Sequence, residues 1–423
     1  MQLNQNTSAT PTVVRRTLCR HCSAPLVHSV VDLGAQPPCE AIVPESHFYA
    51  PEPIYPLHTK VCSNCLLVQL DADVAPESIY TEYAYFSSYS DSWLKHCRVF
   101  SERMIQEYRL GKDSCVVELA SNDGYLLKNF VDYNIPCYGV DPAANIAVVA
   151  EAKGVRTHVC FFGKESAERL AIEAGMADLI IANNVFGHVP DINDFVAGMK
   201  RLLNPKGTIT IEIPHFLKLM QNNQFDTIYH EHYCYHTLLA DQHLFAAFGL
   251  RLFDVEELAT HGGSIRMYVC HDEDCRPTSE NVFRLLSLEQ QYGLETMEAY
   301  EAFGEQARET KRKLLSFLIE AKRNRKRVAG YGAPGKGNTL LNYCGIRNDF
   351  LDFVVDRNPY KHGKFLPGSR IPVFAPEKIM EEKPDYVLIL PWNIKEEIIQ
   401  QMQAIRGWGG AFVVPIPEVQ VIP

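Results

Sequence analysis

The chain contains no apolar run approaching the ~20 residues needed to cross a bilayer. Its opening stretch, Met1 to Thr12, is polar and lacks the apolar core of a signal peptide. Positive charge is also short. With 41 Lys and Arg against 51 Asp and Glu, the formal charge is −10, which argues against a nucleic-acid or anionic-membrane surface. Thirteen cysteines form an odd set without the spacing of a disulfide framework, so a reducing, cytoplasmic setting is expected. Short internal repeats and low-complexity tracts are missing too. What remains is a globular composition, 46% hydrophobic over 423 residues, enough for two or three domains.

Four of the cysteines stand in two C-x-x-C pairs, Cys19 with Cys22 and Cys62 with Cys65. Two such pairs place four thiolates at the corners of a tetrahedron, the geometry zinc prefers, and leave no open position for catalysis. The spacing therefore predicts a structural Zn²⁺; a redox C-x-x-C needs only one pair. Cys39 falls outside the pattern and reads as a core residue.

Residues 114–213 alternate strand and helix signals, as a doubly wound α/β domain does. The stretch CVVELASNDGYLL reads as a buried strand ending in Glu118, then a tight turn through Ser121, Asn122, Asp123 and Gly124. A second strand ends in Asp141-Pro142, where a carboxylate suits the two hydroxyls of a ribose. A third runs into Asn183, Asn184 and His188. The first turn carries one glycine, so a dinucleotide fingerprint is absent there. An adenosine ligand without phosphates, such as S-adenosylmethionine, fits this turn better.

The densest chemistry lies at Tyr229-His-Glu-His-Tyr-Cys-Tyr-His236. Histidine exchanges a proton near neutrality, tyrosine donates to an oxygen gaining charge, and a carboxylate can orient an imidazole. A metalloprotease H-E-x-x-H is excluded because Cys234 occupies the second histidine position. A surface loop or a structural metal site is the plainer alternative. Earlier, Tyr80 to Tyr89 forms a second aromatic and hydroxyl cluster, which by itself reads as a packing surface.

Beyond two long helices over 280–327, a second and smaller α/β unit begins with VAGYGAPGKGNTLLNY. Gly330 to Lys336 matches G-x-x-x-x-G-K, but Gly337 replaces the hydroxyl residue that would bind Mg²⁺, which argues against an NTPase. The loop's backbone N–H groups, with Gly335, Lys336 and Asn338, suit a diphosphate.

Taken in order, the two C-x-x-C pairs, YAYFSSYS, ELASNDG, GVDP, NNVFGHVPD, IYHEHYCYHT and GYGAPGKGNTLLNY resemble one family over about residues 17–418. These are the S-adenosylmethionine-dependent C-methyltransferases acting on dTDP-linked 4-keto-deoxysugars. The resemblance implies a leader over 1–16, expected to be disordered, and a zinc-binding domain over 17–78. A Rossmann-like methyltransferase domain would follow over 79–275, and a smaller Rossmann-like domain over 276–423 would contribute to the sugar-nucleotide site. It implies zinc on the four cysteines and the cofactor among Glu118, residues 121–124, Asp141, Pro142 and Asn183. His188, Tyr229, Glu231 and His232 would line the sugar, with His232 as proton acceptor. Tyr85, or Tyr83 in its place, would close over it. Methylation at C3 is implied, through an enolate, with C5 flanking the same ketone. Ala120 departs from the glycine common at that point. An NAD-dependent sugar oxidoreductase and a non-catalytic zinc module are the competing classes. The sequence leaves the oligomeric state open, a monomer included.

Overall fold

Alternating burial explains the N-terminal sheet. Along Tyr55–Val61 every second residue is buried, so one face packs inward while the other stays wetted. The computed structural model describes residues 13–76, 87–89 and 91–423. Strand β1 (Val13–Arg15), β2 (His28–Gln36), β3 (Tyr55–Val61), β4 (Val68–Leu70) and β5 (Ala72–Val74) build this unit. β1 pairs antiparallel with β5, so the end of the expected leader is a strand, because its backbone has a partner at 72–74. Residues 1–12 lie outside the described residues.

The central sheet uses β6 (Val116–Leu119), β7 (Cys137–Asp141), β8 (Thr157–Val159), β9 (Ala177–Asn183) and β10 (Leu203–Pro214) in parallel. β11 (Cys234–Tyr235) leaves it. β12 (Leu250–Leu258) and β13 (Ser264–His271) close it as an antiparallel pair. The strand order is β12-β13-β10-β9-β6-β7-β8. β6 lies where the winding reverses, between β7 and β9, and an open α/β sheet offers its ligand crevice at such a point.

Helices Glu280–Tyr292 and Met297–Arg323 lead to the C-terminal sheet. It comprises β14 (Val328–Tyr331), β15 (Val354–Val355), β16 (Val373–Phe374), β17 (Tyr386–Ile389), β18 (Ala411–Val414) and β19 (Gln420–Ile422). Their order is β16-β15-β14-β17-β18-β19, with only the last strand antiparallel.

The units are stitched together at three places. β11, from the histidine-rich segment, completes the N-terminal sheet by pairing with β4, Cys234 opposite Gln69 and Tyr235 opposite Val68. The Glu289 carboxylate, fully buried, accepts the N–H groups of Leu238 and Leu239 at 2.8 Å each and His215 Nε2 at 2.6 Å. It thereby caps helix Leu238–Ala246 with a charge its exposed N–H groups favour. Helix Met297–Arg323 lies against β2 so closely that a Cβ on Gly304 would sit 2.6 Å from the Val30 carbonyl oxygen. Gly304→Leu is expected to push this helix off the N-terminal sheet at a cost of about 1–3 kcal/mol, read as a lower urea midpoint. An unchanged midpoint would show that the contact is not needed.

Candidate active site and zinc centre

The two C-x-x-C knuckles fold alike. In each, an N–H bonds back to the first cysteine's carbonyl, Ser23 to Cys19 at 3.0 Å and Leu66 to Cys62 at 2.9 Å. The residue after each second cysteine, Ser23 or Leu66, takes a left-handed conformation. The four sulfurs lie within 4.8 Å of one another, with Cys19 Sγ to Cys65 Sγ at 3.6 Å and Cys22 Sγ to Cys62 Sγ at 3.4 Å. A tetrahedral site with Zn–S near 2.3 Å has edges of about 3.8 Å. The quartet fits zinc.

At the carboxyl ends of β6 and β9, buried polar atoms lack partners. Among the described residues, both Glu118 carboxylate oxygens, Ser121 Oγ, Asp123 Oδ1 and both Asn183 amide atoms have none at hydrogen-bonding geometry. Burial pushes the Glu118 carboxyl well up; the Tyr125 hydroxyl beside it offsets this in part, and the charges of Asp141 and Asp123 add to it. The Asp141 carboxyl is also raised by burial, against the N–H groups of Ala143 and Asn122, each 2.9 Å from one of its oxygens. The orphaned Glu118, Asp123 and Asn183 atoms call for a ligand that brings N–H, O–H and positive charge. S-adenosylmethionine carries an ammonium, a sulfonium and two ribose hydroxyls, so the pocket fits it. The loop bears strain: Ala120 has φ of 56° and Asn122 of 47°. A left-handed Ala costs roughly 1–2 kcal/mol, and the fold accepts it here with Ala120 where such turns favour glycine.

The eight residues 229–236 divide their labour. His230 Nε2 approaches the Tyr55 carbonyl at 3.3 Å, and the Tyr233 hydroxyl donates to the Val74 carbonyl at 2.6 Å. His236 pairs with Asp241 at 2.7 Å and stacks on Phe186. Those three side chains fasten the segment. His232 is different. Its Nδ1 lies 2.9 Å from the Thr227 carbonyl oxygen, which can only accept, so the proton sits on Nδ1 and Nε2 keeps its lone pair. Its ring centroid is 4.0 Å from that of Tyr229 and 4.6 Å from that of His188.

Burial, aided by the charges of His188, His261 and Lys336, drives the His232 pKa well below the ordinary histidine value. Burial alone takes His188 to about 4, and burial with Lys336 takes His261 to about 4. His261 is surrounded by protein atoms yet open to water, as a group on the wall of a deep cleft is. Glu231 is buried and acts on Cys39, whose thiol burial and that carboxylate push up. Tyr83 and Tyr85 lie outside the described residues.

The C-terminal loop holds a different arrangement from a diphosphate cradle. A Cβ on Gly335 would meet Cys39 Sγ at 2.8 Å and Glu40 Oε1 at 3.1 Å, so the N-terminal unit covers this helix start. Asn338 Nδ2 donates to the Cys39 carbonyl at 2.6 Å. Gly335 and Asn338 thus join domains, a job the sequence reading gave to ligand binding. Lys336, between them, is half-buried. Its ammonium lies 4.6 Å from the Trp392 ring centroid and 3.0 Å from Asn393 Oδ1. Trp392 Nε1 in turn donates to Asp226 Oδ2 at 2.7 Å. Burial raises the Asp226 carboxyl to about 7, with Lys336 and Trp392 opposing. Asp226, His261 and Trp392 were missed by sequence reasoning; only the H-G-G turn and the P-W-N stretch after a strand hinted at the last two.

A seven-stranded sheet with an orphaned polar pocket at its switch point, beside a closed thiolate quartet, defines a class I S-adenosylmethionine-dependent methyltransferase with a zinc-binding N-terminal domain. Comparison with known proteins narrows this. Family models match in order: a zinc binding domain over residues 19–80, a methyltransferase domain over 71–255 and a C-methyltransferase C-terminal domain over 259–417. The C-methyltransferase NovU of Streptomyces niveus is 35% identical over 407 residues, 96% of each chain. The chain belongs to this family of S-adenosylmethionine-dependent C-methyltransferases. Among solved structures it is similar to magnesium protoporphyrin IX methyltransferase (ChlM) of Synechocystis PCC 6803 with bound S-adenosylmethionine, at 13% identity, TM-score 0.32, covering 42% of this chain and 79% of that one. PH0226 protein of Pyrococcus horikoshii matches at 14% identity, TM-score 0.36, covering 46% and 97%.

Among the described residues no helix is long and apolar enough to cross a membrane. The depressed histidines set a stability trend. Their folded pKa values, about 4 for His188 and His261, lie below the unfolded value of ~6.5. Below that pH the unfolded chain binds more protons, so stability is complete above it and declines as pH falls toward 4. The urea midpoint should be lower at pH 5 than at pH 7.5, and His188→Phe should narrow the gap. Equal midpoints for the wild type at both values would contradict the lowered pKa values of these imidazoles.

Proposed function

We propose that this enzyme transfers a methyl group to carbon on a dTDP-linked 4-keto-6-deoxyhexose, at C3, with His232 removing the proton from that carbon. The observation that carries the reading is the His232 tautomer: Nδ1 engaged by Thr227, Nε2 left as a lone pair, and the ring neutral at working pH. A hydrogen beside a ketone is acidic because the carbanion spreads onto oxygen as an enolate. A base at neutral pH and nearby donors for that oxygen meet the requirement.

S-adenosylmethionine would be held by Glu118, Ser121, Asp123, Asp141 and Asn183, and it supplies an electrophilic methyl on sulfur. The rest is done by the chain. His232 Nε2 takes the proton; Tyr229, its ring tilted against His232, and the Lys336 ammonium stand by for the oxygen that gains charge. The neutral His188 ring, edge-on to His232, keeps a second positive charge away from the base. The C-methyltransferase relative supports the reaction type, and the acid/base set on one wall supports a keto substrate.

With S-adenosylhomocysteine and a dTDP-4-keto-6-deoxy sugar in D₂O, the wild type is expected to exchange the hydrogen on the carbon beside the ketone. His232→Ala should slow that exchange ~10²–10⁴-fold. Normal exchange in the variant would place the base elsewhere. NMR of the methylated product tells C3 from C5. Lys336→Ala should raise KM for the sugar nucleotide more than for S-adenosylmethionine; equal effects on both would remove Lys336 from the sugar side.

A further inference from the structure

The two residues inside the first zinc knuckle, buried Arg20 and half-buried His21, are both engaged by protein. Arg20 and His21 grip the loop that follows β9 and carries His188. The Arg20 side chain is 1% exposed, and its guanidinium donates to the Pro190 carbonyl at 2.8 Å, the Leu70 carbonyl at 3.2 Å and Asp73 at 2.7 Å. His21 Nδ1 donates to Asn193 Oδ1 at 2.9 Å, and Asn193 Nδ2 returns a bond to the His21 carbonyl at 2.9 Å and one to the Arg20 carbonyl at 3.3 Å. His188 lies between β9 and these anchors, two residues before Pro190.

The same knuckle reaches the other histidine. Gln69 Oε1 accepts the Arg20 N–H at 2.9 Å, while its Nε2 donates to Cys19 Sγ at 3.2 Å. Gln69 lies opposite Cys234 in the β4–β11 pair. Leu70, whose carbonyl Arg20 holds, donates its own N–H to the Tyr233 carbonyl at 3.0 Å, and the guanidinium lies 5.6 Å from the Tyr233 ring centroid. Tyr233 adjoins His232.

We propose that the first zinc knuckle is a positioning device for the His188–His232 pair, with Arg20, His21 and Asn193 as the residues through which it acts. The proposal rests on the reading of His232 as the base. A metal that only folded the N-terminal unit would not need the bonds to Pro190 and Asn193, which end on the segment that bears His188. Leu70, held by Arg20 through its carbonyl, bonds through its N–H to Tyr233, next to His232. Four thiolates held by one ion fix the knuckle's shape, and the shape fixes where Pro190 and Tyr233 lie. A displacement of about 1 Å at such a site costs on the order of 10²-fold in rate.

The test uses full-length Asn193→Ala and Arg20→Gln proteins, each checked for zinc content and S-adenosylhomocysteine affinity. Both should keep their metal and their cofactor affinity, lose kcat by about 10²-fold with little change in KM, and show faster amide exchange over 186–193. Arg20→Gln should extend this to 229–236. Unchanged kcat and amide exchange in Asn193→Ala with zinc bound would overturn the proposal. So would a parallel loss of S-adenosylhomocysteine affinity, which marks general damage. If Arg20→Gln fails to fold, Asn193→Ala decides alone. If the wild type shows no substrate hydrogen exchange, the proposed function fails, and amide exchange still judges the knuckle.

Discussion

One hydrogen bond organises the cleft, from His232 Nδ1 to the Thr227 carbonyl. It fixes which ring nitrogen carries the proton, and it requires the short turn Phe225–Thr227 to stay where it is. That turn is gripped from the C-terminal side by Trp392, through Asp226. The chain just beyond His232 is gripped from the N-terminal side, where β11 completes the sheet begun by β2, β3 and β4. The N-terminal and C-terminal units therefore both bear on a short stretch of backbone. A buried backbone carbonyl is a good choice of partner, since it accepts only and cannot titrate.

Electrostatics serves the same end. Burial acts most on His232 and the Lys336 ammonium adds to it, both disfavouring its protonation, against the Thr227 carbonyl, which favours it. The arrangement weakens the base while keeping it deprotonated, and a cationic neighbour that lowers the base also lowers the energy of an enolate oxygen. On the cofactor side the sign is reversed: Glu118, Asp123 and Asp141 gather where a cationic ligand would sit. The sheet's switch point keeps the acids beside β6, and the loops after β9 and β12 carry His188 and His261.

Much of this was legible in the residues and some was not. Cysteine spacing pointed to the metal quartet because zinc's ligand geometry restricts it, and the strand-end acids named from the residues lie together at the switch point with the orphaned polar atoms. The family resemblance singled out His232 among three histidines; the residues alone did not. His230 and His236 have the same chemistry and differ in tertiary partners, Tyr55 and Asp241. The C-terminal glycine run resembled an anion cradle, and locally it is a strand-to-helix turn, but Cys39 and Glu40 fill the place at Gly335 from far off in sequence. His261, Asp226 and Trp392 come together only through packing between units, which no periodicity encodes.

The account stands on a neutral His232 with its proton on Nδ1. Nitrogen-15 NMR of the imidazoles, with His232→Gln for assignment, reads this directly in the enzyme bound to S-adenosylhomocysteine. The predicted result is an unprotonated Nε2 and a protonated Nδ1 at pH 7, unchanged when the pH is lowered to the ordinary histidine value. A proton on Nε2, or an imidazolium at pH 7, would contradict it.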